Sequence, residues 1–325
     1  MTGLDTPPAA TRRGLVLAVA FAVALVACGG ADAPDDADAS LAGVEVVFGS
    51  KEFAEQELLG SMFIQALDAR GADVTDATGT GGTLETRAAL LAGTIDAYVE
   101  YDTTAWFELL GRSDSPPEDP EEITAAVAAL DLANDVVWLG RSSFDNTYGF
   151  ALSPRLADDN RADRYQVESF DLDALADLLE DESDLVVCVA PEFRDRPDGL
   201  ERFETATGFE IPDDQLVTLE QPSAVERGLL TGRCDVGEVF TTSGFIAEYE
   251  LLVVRDPGIF APYHAALTVR LELYEQAPVA LRELAEQVLA PLTNERMTDL
   301  NRRVASGESV RDVALDHLRR FDIVG

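Results

Sequence analysis

A segment that occurs twice limits the fold more than any other feature of the chain. Leu90-Leu91-Ala92-Gly93-Thr94-Ile95-Asp96 returns as Leu229-Leu230-Thr231-Gly232-Arg233-Cys234-Asp235, at a constant offset of 139. At that offset Tyr101 also meets Phe240, and Thr103 meets Thr242. Each copy reads as helix, glycine stop, strand, then an aromatic and hydroxyl residues where a further helix begins. A unit of this kind belongs to alternating α/β layers. In open α/β sheets ligands sit beyond the carboxyl ends of the strands, where helix N-termini offer free N–H groups. Two copies therefore predict two similar lobes that present equivalent edges across a cleft.

The rest of the chain keeps the same rhythm. Val44–Phe48 reads as a strand, and a helical period runs from about Glu52 to Ala69 and stops at Gly71. Val74, a helix over Thr83–Leu91 and a strand over Ile95–Val99 follow. Strands over Leu185–Val189, Leu216–Leu219 and Asp235–Phe240 recur later, with a helix over Ser223–Leu230 between the last two. Three helical patterns close the chain, around Tyr274–Leu289, Asn294–Ala305 and Ser309–Arg320. Strands alternating with helices indicate an α/β protein on mainly parallel sheet.

Composition enters where function classes have to be excluded. The 325 residues carry 61 Asp+Glu against 24 Lys+Arg, a formal net charge of −37. Such a surface repels phosphate, which argues against nucleic acid as a partner and against basic docking on anionic lipid. Lys51 is the sole lysine, so 23 of the 24 cations are arginine. That makes Lys51 conspicuous. His264 and His317 are the only histidines and lie far from metal-site spacing, so neither metal nor cofactor is expected. Enzyme signatures are missing too. No nucleophile-elbow serine or zinc motif occurs, and Gly79–Thr83 lacks the lysine of a phosphate-binding loop.

At the N-terminus Arg12-Arg13 precede an apolar run from Gly14 to Ala27. This run is too short for a bilayer span but suits the core of a signal peptide. It ends Leu25-Val26-Ala27-Cys28-Gly29-Gly30, which resembles a bacterial lipobox with Cys28 as the lipidated first residue. Residues 1–27 are thus expected to be a lipoprotein signal peptide and 28–43, rich in Ala and Asp, a flexible tether. Cys188 and Cys234 both sit in strand-like runs. An exported protein allows a disulfide between them, and two buried free thiols fit as well.

Six motifs stand in order along the remaining chain. They are Gly49-Ser50-Lys51-Glu52-Phe53, Gly79-Thr80-Gly81-Gly82-Thr83, and the run from Gly93 through Tyr101 to Ala105. Asp145 to Leu152, Glu192 to Leu200, and Phe260-Ala261-Pro262-Tyr263 complete the series. Together they resemble the glycine betaine/choline (quaternary-amine) substrate-binding proteins of osmoprotectant ABC transporters, from Val44 to the C-terminus. The resemblance implies a two-lobed periplasmic-binding-protein fold of type II with the ligand between lobes, 44–149 plus 255–325 forming one and 150–254 the other. It implies no catalysis. It also implies ABC permease subunits as partners, attachment to the membrane through Cys28, and a place in the cell envelope outside the cytoplasm.

The residue chemistry fits such a ligand. A trimethylammonium group donates no hydrogen bonds, so it is held by apolar contact and aromatic faces, each desolvated cation–π contact giving about 2 kcal/mol. By motif position the family's aromatic cage falls on Tyr101, Tyr148, Phe240 and Tyr263, with Phe240 standing where tyrosine is usual. Lys51, Thr104 and Arg196 fall where the family receives a ligand carboxylate, which needs a cation and hydrogen-bond donors. Arg194 beside Arg196 is an alternative. Glycine betaine-type zwitterions are expected on this reading, with choline or another small cationic or amino-acid solute as the alternative.

Overall fold

The computed structural model describes residues 40–117, 119–158 and 170–325. The expected signal peptide, Cys28 and most of the expected tether lie outside the described residues. Two five-stranded sheets organise the chain. In the first, β1 (Glu45–Lys51) lies between β2 (Asp73–Gly81) and β3 (Ala97–Tyr101), all parallel. α1 (Ala54–Ala69) and α2 (Thr83–Ala92) make the two crossovers. β4 (Val136–Leu139) and β10 (Ala265–Arg270) complete this sheet in the order β2-β1-β3-β10-β4, with β10 antiparallel to both neighbours.

The second sheet repeats the plan. β6 (Val187–Val189) lies between β7 (Leu216–Thr218) and β8 (Val236–Phe240), again parallel. β5 (Tyr148–Leu152) runs antiparallel to β8 and to β9 (Leu252–Val253), in the order β7-β6-β8-β5-β9. Each sheet is thus three parallel strands extended by an antiparallel pair, less uniformly parallel than the strand–helix rhythm suggested. The antiparallel strands arrive from distant parts of the chain, which local periodicity does not register.

The internal repeat is a structural repeat. α2 and the helix Pro222–Thr231 match end for end at the offset seen in the sequence, as do β3 and β8. Both helices stop on a left-handed glycine, Gly93 at φ 73° and Gly232 at φ 72°, a conformation that costs glycine little. The aspartate that follows ties each unit to its central strand. Asp96 Oδ2 accepts from Val47 N at 2.9 Å, and Asp235 Oδ2 from Val186 N at 3.0 Å.

Between strand and helix, burial follows the apolar positions: Phe48, Leu58, Leu59, Met62 and Phe63 are buried under the first sheet. The C-terminal helices fasten the two sheets. Val310–Arg320 packs on α1, and Asn294–Ala305 packs on the helix Gly244–Glu248 of the other side. That second contact is backbone-close, since a Cβ on Gly244 would lie 2.2 Å from the carbonyl carbon of Asn301. The helical pattern expected over Tyr274–Leu289 is two helices, Leu271–Gln276 and Pro278–Leu289. Pro278 lacks an N–H and is favoured in a first turn, so it starts a helix instead of continuing one.

Candidate functional site

The seven residues assigned to ligand contact line one cavity between the sheets; the alternative, Arg194, does not. Lys51, Tyr101, Thr104, Tyr148, Arg196, Phe240 and Tyr263 surround a small cavity of about 30 Å³. Strand ends place most of them. Lys51 and Tyr101 are the last residues of β1 and β3, Phe240 is the last of β8, and Tyr148 is the first of β5. Tyr148 and Phe240 are direct cross-strand partners. Tyr263 lies just before β10, whose Ala265 pairs with Tyr101.

Four rings form a continuous stack across the cleft. Phe53 lies 6.4 Å from Tyr101 and 5.6 Å from Phe240, and Phe240 lies 5.3 Å from Tyr148, all within 24° of parallel. Tyr263 meets Tyr148 edge-on at 5.5 Å. The rings turn faces to cations of the chain itself. Lys51 Nζ is 5.4 Å from the Tyr101 centroid, and the Arg196 guanidinium is 5.8 Å from both Tyr148 and Tyr263. The arrangement presents π faces to positive charge.

Both cations are already paired with carboxylates. Lys51 Nζ sits 2.6 Å from Glu100 Oε1, and both side chains are buried. Glu100 also accepts from Tyr101 N at 2.7 Å and from the Tyr98 hydroxyl at 3.0 Å. Arg196 grips Asp198 through two bonds, 2.9 Å from Nε and 2.6 Å from the guanidinium end, the fork geometry that makes such pairs strong. The Tyr263 hydroxyl donates to the same Asp198 carboxylate. Burial pulls the Arg196 guanidinium down, but Tyr148, Tyr263 and Asp198 outweigh it and hold the group well above its ordinary value. Burial likewise pushes the Tyr263 hydroxyl up. Arg194, by contrast, points to the Thr218 hydroxyl at 2.9 Å, at an exposed place.

A buried carboxylate joins the two sides behind the rings. Glu55 accepts from the Tyr101 hydroxyl at 2.6 Å and from Asn301 Nδ2 at 2.7 Å, and Thr242 Oγ1 lies 2.5 Å from it. Burial raises the Glu55 carboxyl above its ordinary value, partly offset by Thr242, Tyr101 and Asn301. Sequence reasoning missed Glu55 as well as four lining residues: Phe53, Thr83, Asn146 and Glu192. A signal for two of them was available. Phe53 and Glu192 are separated by the repeat offset itself, so they are equivalent positions of the repeat that flanks the cleft. Among the described residues no group of His, Cys, Asp and Glu is arranged to hold a metal ion.

A two-lobed α/β framework with an aromatic, cation-facing cleft defines a solute-binding protein. Residues 44–320 match the family described as the substrate binding domain of ABC-type glycine betaine transport systems, and the chain belongs to that family. It is 30% identical over 300 residues to the glycine-betaine-binding protein of Pseudomonas aeruginosa, covering 88% of this chain and 91% of that one. It is 27% identical over 285 residues to the glycine betaine-binding protein YehZ of Escherichia coli, covering 85% and 90%. Among solved structures, that of a glycine betaine/carnitine/choline ABC transporter superposes with a TM-score of 0.67. It is 23% identical and covers 86% of this chain and 99% of that one, which speaks for the two-lobed type II fold. The family binds and delivers small ligands to permease subunits on the extracytoplasmic side and is not enzymatic. Among the described residues no helix is long and apolar enough to cross a membrane.

Proposed function

We propose that this chain is a lipid-anchored extracytoplasmic receptor that captures a quaternary-ammonium osmoprotectant and delivers it to an ABC permease. The ring stack Tyr101–Phe53–Phe240–Tyr148, with Tyr263 across its end, is the observation that carries the reading. On this reading Tyr101, Tyr148, Phe240 and Tyr263 hold the trimethylammonium head, while Lys51, Thr104 and Arg196 receive the carboxylate of a betaine. The lobes, 44–149 plus 255–325 and 150–254, close on the solute, and closure remakes the surface that the permease meets. Cys28 carries the anchor after residues 1–27 are removed. The names of the relatives support glycine betaine as the first ligand to try.

A second reading, a choline-like cation without a carboxylate, is favoured by the two ion pairs. Lys51 and Arg196 each already face a carboxylate, at 2.6 Å in both cases. Titration calorimetry with glycine betaine, choline and proline betaine tests the class, and absence of heat with all three sinks it. Lys51→Ala separates the readings: a betaine role predicts a far larger loss for glycine betaine than for choline. For the anchor, Cys28→Ser is expected to move the protein from the membrane fraction to the soluble one.

A further inference from the structure

The small cavity is not the whole cleft. On one side it continues into a chamber of about 460 Å³, with which it shares Lys51, Phe53, Thr83, Tyr148, Glu192 and Phe240. That is the size range of sites for whole small molecules. The chamber differs in chemistry from the cage. Glu52, Glu57, Glu192, Glu220 and Glu238 line it, and among the described residues its single cation is Lys51, already held by Glu100. Glu192 is partly satisfied, because its carboxylate accepts from Thr83 N at 3.3 Å at the start of α2, where the helix dipole favours negative charge. Glu238 accepts from Ala190 N at 2.7 Å.

A second observation is independent of the carboxylates. The Thr83 side chain is buried, with the residue 3% exposed, and its Oγ1 has no hydrogen-bond partner. Thr83 lines both the cage and the chamber. A buried hydroxyl left unpaired is costly, and a hydroxyl can both donate and accept. At this junction it waits for a polar group that spans the two spaces.

We propose that the chamber is a second subsite, which receives the far end of a quaternary ammonium ligand when that end carries a positive charge or N–H donors. The inference rests on the quaternary-amine reading and extends it to a class of larger, two-ended ligands. A carboxylate at that end would face Glu52, Glu57, Glu192 and Glu220, whereas an ammonium or another N–H-bearing group is matched by them and reaches Thr83 Oγ1. Glycine betaine and choline are too short to use it.

Calorimetry on the full chain tests the proposal with four probes: glycine betaine, choline, butyltrimethylammonium and (3-aminopropyl)trimethylammonium. The last two match in length and differ in the terminal charge. The aminopropyl compound is expected to bind about tenfold more tightly than the butyl compound, with the difference shrinking as salt is added. The double substitution Glu57→Gln with Glu220→Gln, outside the ring cage, is expected to remove most of that difference and leave choline binding within about twofold. Equal binding of the two long probes, with choline or glycine betaine still bound, overturns the second subsite and leaves the cage reading standing. Equal loss of all probes in the double variant overturns it as well. No binding of any probe removes both readings.

Discussion

The two halves of the molecule share a framework and fill it differently. At offset 139 the first half has Lys51 where the second has Ala190, Phe53 where the second has Glu192, and Tyr101 where the second has Phe240. The contrast extends behind the sheets. Cys188 and Cys234 form a disulfide with Cα atoms 5.7 Å apart, one of the two readings that the sequence left open. In the first half the same two places hold Gly49 and Ile95. There a Cβ on Gly49 would lie 2.6 Å from Ile95 Cδ1, so an isoleucine side chain occupies the space that a covalent bridge spans in the second half. Backbone hydrogen bonds, glycine stops and tethering aspartates are common to both copies. The two copies thus share what builds the lobe, while the positions facing the cleft and the joint beneath it differ.

The halves also place their buried acids at different positions. In β3 Glu100 has the Lys51 ammonium beside it, at a position where β8 has Val239; Glu238, one residue earlier in β8, has a backbone N–H instead. Burial pushes the Glu238 carboxyl from an ordinary value of 4.5 up to about 8, with the Ala190 N–H pulling the other way. At offset 139 Val239 stands where the first half has Glu100, so Ala190 in place of Lys51 leaves no matching carboxylate without its cation.

These contrasts can be broken by experiment. The largest effect is expected from the bridge. Replacing both Cys188 and Cys234 by alanine opens a link across a sequence separation of 46, for which chain entropy gives about 4 kcal/mol of lost stability. Urea denaturation measures it, and a loss no larger than that of Ile95→Val would mean that the bridge adds nothing beyond packing. Next comes Lys51→Ala, which leaves Glu100 buried without its cation and is expected to cost about 3 kcal/mol. Adding Glu100→Gln to Lys51→Met should recover most of it, and that rescue separates a structural role from a ligand role.

Across the cleft, Tyr101→Ala and Phe240→Ala should each weaken choline by about 2 kcal/mol, or roughly 30-fold. If one halves the affinity while the other abolishes it, the cage belongs to one lobe. The pH response of Glu238 follows from its sign. A carboxyl raised in the folded state binds its proton more tightly there than in the unfolded chain. Stability therefore falls as pH rises from about 4.5 through about 8. Glu238→Gln should flatten that fall by at least about 1 kcal/mol in denaturation midpoints followed across the range. The smallest effect is expected from Phe240→Tyr, which makes the two repeat positions alike and should shift affinity by less than about 1 kcal/mol because the π face is kept.

Much of this architecture was legible before any coordinates. Helix, glycine stop and strand are local patterns, so α2, β3 and their copies in the second half could be placed closely from the sequence. The seven residues expected at the site were assigned by position in the family's motifs and by the repeat, and all seven line one cavity. What escaped was relational. Nothing in Glu100, Asp198 or Glu55 as letters says that one neutralises Lys51, another clasps Arg196, and the third ties Tyr101 to Asn301. Phe53 escaped for a similar reason, since its ring gains meaning only when Tyr101 and Phe240 arrive on either side.

By itself, then, the sequence determined the α/β alternation, the internal repeat, the resemblance to a ligand-binding family and the conspicuous lysine. Each depends on spacing along the chain or on residue type, which a linear reading carries in full. Only the tertiary structure decided that Lys51 and Arg196 are already charge-balanced, that Cys188 meets Cys234, and that the ring cage opens into an acidic chamber. Those facts depend on distances of a few ångströms between residues that stand far apart along the chain. Electrostatic pairing and cavity shape exist only once both lobes have brought such residues together.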